Sequence, residues 1–107
     1  MSKHDLLQSW ERTTGILRDA RATISEAGEA VCSDEISRFE DYLRHNELEF
    51  ALDELDAAFN KSGLESLRVL ELLALASASM GMTERQRQYD ARLSEAPGWQ
   101  YETVLTA

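Results

Sequence analysis

The 107-residue sequence is poor in cysteine, histidine, proline and β-branched residues, and each scarcity removes a class of function or fold. Cys32 is the only cysteine, which excludes an internal disulfide and a thiolate metal cluster. His4 and His45 are the only histidines. One sits at the start of the sequence and the other at an expected turn, so neither forms a His-x-x-x-His or His-Glu pair on a helix. No glycine-rich phosphate loop and no Gly-x-Ser-x-Gly elbow occurs. The expectation is therefore a protein that is not an enzyme and holds no metal or cofactor. One proline and five glycines leave little material for turns, so the elements should be few and long. Leu and Ala supply most of the apolar content while Val and Ile are scarce, which favours helix over sheet. No run reaches the roughly 20 apolar residues that span a bilayer. The richest, Leu67 to Met80, is interrupted by Arg68 and Glu71. The sequence opens directly on an amphipathic stretch without an apolar leader core, so the expected compartment is the cytoplasm.

What is present is acid, and it is concentrated. Nine acidic residues against two basic ones fall between Asp34 and Asp56, in a chain whose net charge is −9. A dense block of like charge repels itself and is most easily understood beside something positive. The same charge argues against nucleic acid or an anionic membrane surface as a partner and for a basic protein.

The expected fold is all-α: a single domain, 1–107, folded as one compact bundle of about five helices around a central antiparallel hairpin. Residues 1–32 should form a long N-terminal helix and its connection, 33–95 the bundle core, and 96–107 a tail packed back on it. In the first helix Ser2 and Asp5 suit a start. Leu6, Leu7, Trp10, Leu17, Ala20, Ile24 and Ala27 recur at helical spacing, and Gly28 suits an end. Gly15 weakens this helix and suggests a close helix crossing. A second helix starts at Ser33 or Asp34 and buries Ile36, Phe39 and Leu43. His45-Asn46 breaks it, and Asn46 with Glu49 suits the cap of a third helix. That helix carries an apolar stripe of Leu48, Ala51, Leu52, Leu55, Ala58 and Phe59. At about 100° per residue, Glu49, Asp53 and Asp56 fall on its polar face. Phe50 lies far from the stripe, between that acidic group and the pair Glu47 and Glu54. Ser62 with Glu65 suggests a cap for a central apolar helix to Met80, ended by Gly81, and Thr83 with Gln86 a cap for the last helix. Pro97-Gly98 is a turn, followed by the apolar Trp99, Tyr101, Val104 and Leu105. Cys32, just before a helix start, reads as a small buried residue.

The run Phe-Glu-Asp-Tyr-Leu-Arg-His-Asn-Glu-Leu-Glu-Phe-Ala-Leu-Asp-Glu-Leu, from Phe39 to Leu55, resembles MafI-type immunity proteins, including those of contact-dependent inhibition systems. Matching positions are Phe39, Tyr42, Leu43, His45, Glu47, Ala51, Leu52 and Leu55, and the helix ending in Met80-Gly81-Met82 is similar. The likeness covers about residues 36 to 93; Asn46 stands where the family usually has glycine. A tetratricopeptide array also uses such hairpins, but one hairpin cannot supply the at least three repeats of about 34 residues that it needs. The resemblance implies an antitoxin that binds and blocks a cognate toxin domain, commonly a nuclease. A nuclease grips phosphate and so has a basic cleft, which an acidic protein can capture quickly. The expected partner-binding residues are Glu40, Asp41, Tyr42, Glu47, Glu49, Phe50, Asp53, Glu54 and Asp56, with Phe50 and Tyr42 as the apolar anchor. One rival is a small helical adaptor or secretion chaperone, which predicts an exposed apolar groove. Another is a nucleic-acid mimic, which needs carboxylates spread over several elements.

Overall fold

A computed structural model describes residues 3–63 and 66–95, and these are all-helical. The elements are α1 (Lys3–Arg21), α2 (Glu26–Val31), α3 (Ser33–Arg44), α4 (Leu48–Ser62), α5 (Leu67–Ser79) and α6 (Thr83–Ser94). Helices α3 and α4 form one antiparallel hairpin and α5 and α6 another, with α1 lying across α5 and α4. The molecule measures 41 × 36 × 19 Å, so its short dimension holds two layers of helices at the usual 8–10 Å spacing. The central hairpin and the all-α fold agree with the sequence. The expected tail packing of 96–107, and the Ser2 and Glu65 contributions to caps, lie outside the described residues.

Six helices form where about five were expected, because the N-terminal segment is not one helix. It breaks after Arg21, where Thr23 turns its hydroxyl back onto the Ala20 carbonyl at 2.8 Å. Ser25 then caps α2 by accepting from the Gly28 amide at 3.1 Å. An ion pair between Arg21 and Glu29 holds the corner. Gly28 thus sits inside α2 instead of ending a long helix. The Cys32 thiol is buried and donates to the Gly28 carbonyl at 3.0 Å. Burial pushes its pKa up, against the pull of Arg21 and Lys61.

Both hairpins close with the same turn. Asn46 is left-handed at φ 55°, with Glu47 N–H on the Tyr42 carbonyl and Asn46 N–H on that of Leu43. Gly81 is left-handed at φ 73°, with Met82 N–H on the Ser77 carbonyl and Gly81 N–H on that of Ala78. Each is a Schellman ending, which ties up the last carbonyls of the helix before it. Asn46 therefore ends α3 and does not cap α4; Glu47 takes that position without a side-chain bond. Ser62 is the last residue of α4, and the cap of α5 is Ser66, which accepts from the Val69 amide at 3.2 Å. Thr83 is the first residue of α6, not its cap.

The core collects the α4 stripe with Leu17 and Ala20 from α1, Ile36, Phe39 and Leu43 from α3, Val69 to Ala76 from α5, and Tyr89 and Leu93 from α6. Phe39, Phe59, Leu52, Leu55 and Leu73 are fully enclosed. Each such side chain contributes about 1.5–3 kcal/mol relative to exposure. Thr13 on α1 meets Ser79 on α5 at 2.7 Å, which gives the buried Thr13 hydroxyl a partner in the half-buried Ser79 hydroxyl.

Helix α1 departs from its expected apolar face. Leu17 and Ala20 are buried, whereas Leu7 and Trp10 are exposed. Ala27, on α2, is exposed as well. Gly15 is not at a helix crossing: a Cβ added there would meet nothing within 4 Å. An exposed mid-helix glycine costs about 1 kcal/mol relative to alanine, and no contact among the described residues requires it.

Candidate functional site

The acids of α4 lie between Glu49 and Asp56, just after Glu47 at its N-cap, and the two ends of this stretch use their charge differently. From Asp53 onward, the carboxylates are tied to cations of the same molecule. Asp53 pairs with Arg85 of α6. Asp56 accepts a hydrogen bond from the Tyr89 hydroxyl at 3.2 Å, lies 3.9 Å from Arg92, and takes a further bond from Asn60 at 3.4 Å. The guanidinium groups of Arg85 and Arg92 sit near the Tyr89 ring, 5.9 and 5.8 Å from its centre. Burial raises the Tyr89 pKa and the Asp56 charge raises it further, so the phenol stays a proton donor to that carboxylate.

The remaining acids of the α3–α4 block are also largely occupied. Glu54 takes the Arg38 Nε–H at 2.9 Å, Glu40 faces Arg18 of α1 at 3.5 Å, and Asp41 pairs with Arg44 at 3.0 Å. Glu35 is buried beneath Lys61, whose ammonium is 3.2 Å away. Burial alone would raise the Glu35 pKa, but the Lys61 hydrogen bonds and charge outweigh it and hold the carboxyl below its usual range.

Around the α3–α4 turn the arrangement is open. Glu47 and Glu49 are exposed, and neither has an ion-pair partner among the described residues. Beside them Phe50 is 55% exposed, with its ring tilted on that of Tyr42 at 5.3 Å between centres. Tilted rings at this separation attract each other, which favours this placement of the exposed Phe50. Part of the local charge has a structural use, because a glutamate in the first turn of α4 suits the positive end of the helix dipole.

Next to this turn lies a cleft of about 510 Å³ between α1, the turn and the end of α5, with Trp10, Thr13, Asn46, Leu48, Glu49 and Met80 in its walls. A second hollow of about 470 Å³ adjoins it, sharing Trp10 and Asn46 and reaching Leu7, Glu11, Thr14 and Gly15.

Of the expected partner-binding residues, the fold brings Tyr42, Glu47, Glu49 and Phe50 together at one open end. It sends Asp53 and Asp56 toward α6, Glu40 to Arg18 of α1, and Asp41 and Glu54 to ion pairs with arginines of α3. Sequence reading missed the α6 partners. Their signal is the basic-aromatic face Arg85, Tyr89 and Arg92 at helical spacing, in a helix that looked merely charge-balanced. Among the described residues no group of three metal-ligating side chains gathers, and no helix is long and apolar enough to cross a membrane. No protein-family model, curated protein or solved structure matches the chain.

Proposed function

We propose that this chain is an immunity protein of the kind its central hairpin resembles. It binds a cognate toxin domain, a basic nuclease, and neutralises it by stoichiometric inhibition through the acidic α3–α4 hairpin. The single observation that carries this reading is Phe50, exposed on Tyr42 beside Glu47 and Glu49, two carboxylates with no ion-pair partner among the described residues. An exposed aromatic within a charged surround is the usual composition of a protein-binding hot spot. The two glutamates supply attraction to a basic surface, and the paired acids Glu40, Asp41, Asp53, Glu54 and Asp56 contribute little, because their neighbours already offset them.

The apolar cleft at Leu7 and Trp10 favours a second reading, a helical adaptor or secretion chaperone that carries another protein. Co-expression with the toxin domain encoded immediately upstream separates the two. Growth rescue with a tight complex that weakens as salt rises supports immunity. Lack of both rescue and complex removes it in favour of the adaptor.

A further inference from the structure

We propose that the α1 cleft is a docking groove for a cationic amphipathic helix of another protein, with Gly15 as the point of closest approach. On α1, Leu7, Trp10, Glu11, Thr14 and Gly15 follow the i, i+3, i+4, i+7, i+8 spacing of one helix face. At about 100° per residue this face lies roughly 120° round from the buried one carried by Thr13, Leu17 and Ala20. All five residues line the adjoining hollows beside Asn46 and Glu49. The stripe is two turns long, the reach over which a docked helix places its apolar anchors.

Three observations define the occupant. Leu7 and Trp10 are large, apolar and exposed, so they call for an apolar face. Gly15 leaves open space where a side chain would stand, and a glycine that no neighbour in the chain requires suits a second helix packed close against it. Glu49 lines the first hollow and Glu11 the adjoining one, each with no ion-pair partner among the described residues, so the flanks of that face should be cationic. The same charges disfavour a second copy of this chain, which would set its own acids against them. They also disfavour the segment 96–107, which contains Glu102 and no lysine or arginine. This assignment goes beyond the immunity reading and does not need the partner to be a toxin.

The test is titration of the full chain with a synthetic helical peptide of about five turns, leucine on one face and lysine on the flanks, read by fluorescence anisotropy. Saturable binding that weakens at least tenfold in Gly15→Trp and in Glu11→Lys/Glu49→Lys is expected. Gly15→Trp has room in the monomer, and circular dichroism confirms its fold. The proposal is overturned by no saturable binding below about 100 μM, by unchanged binding to Gly15→Trp, or by equal binding of a glutamate-flanked peptide. Binding only to a Trp99→Ala/Tyr101→Ala variant assigns the groove to the chain's own tail. A concentration-dependent dimer abolished by Gly15→Trp assigns it to a second copy; either result also overturns the proposal. Growth rescue without peptide binding leaves immunity standing and removes the groove, and peptide binding without rescue does the reverse.

Discussion

The two ends of the acidic stretch from Glu47 to Asp56 carry the same kind of charge and put it to opposite uses. At its later end, Asp53 and Asp56 face Arg85, Tyr89 and Arg92, so the acid joins α4 to α6 and is largely offset. At the N-terminal end, Glu47 and Glu49 have no ion-pair partner among the described residues and flank an exposed aromatic ring. Net charge alone therefore says little about where an acidic protein binds. The carboxylates that its own cations leave open are the informative ones.

This contrast can be broken at either end. The largest effect is expected where both ends share support. Leu52→Asp places an unpaired charge in the enclosed stripe of α4, and loss of helical circular dichroism is expected. Next is Glu47→Lys/Glu49→Lys, which should weaken partner binding about 100-fold, about 2.7 kcal/mol. Thermal unfolding should show that it costs the fold no more than about 1 kcal/mol, from the helix dipole. Phe50→Ala should lose about 2 kcal/mol of binding by calorimetry, with a stability change of about 0.5–1 kcal/mol from the Tyr42 contact. Asp56→Ala should do the reverse. It strips acceptors from Tyr89 and Asn60, so denaturant unfolding should show a loss of about 1–2 kcal/mol while partner affinity holds. The smallest effect is a pH effect at Glu35. Its pKa is lower in the folded chain than in the unfolded one, so its contribution is present above the unfolded carboxyl value and fades as pH falls through the folded value. In Lys61→Met the acid limb of the stability curve should be shallower, as measured by unfolding across an acid pH series.

The hairpin was legible because its signals are local and agree with one another. The α4 stripe marks the buried face, the left-handed Asn46 marks the α3–α4 turn, and Gly81 marks the α5–α6 turn. Phe50 was also legible, since a residue so far from the apolar stripe has little to pack on in its own helix. The break at Thr23 was not. It depends on Thr23 and Ser25 bonding to backbone, against an apolar periodicity that runs through to Ala27. The division of the acidic block was hidden for a different reason. Ion pairs such as Arg85 with Asp53 join residues 32 apart in sequence, and helical spacing cannot reveal which face of α6 turns toward α4. Leu7 and Trp10 fit the periodicity of a core helix, and only the way α1 lies across α5 exposes them.

The most direct test is the salt dependence of affinity for the proposed toxin partner, compared among the natural chain, Glu47→Lys/Glu49→Lys and Asp53→Asn. A steep slope that flattens in the glutamate double variant and is unchanged in Asp53→Asn is the predicted result. A slope that flattens equally in both, or only in Asp53→Asn, would contradict the division of α4 into a closed end and an open one.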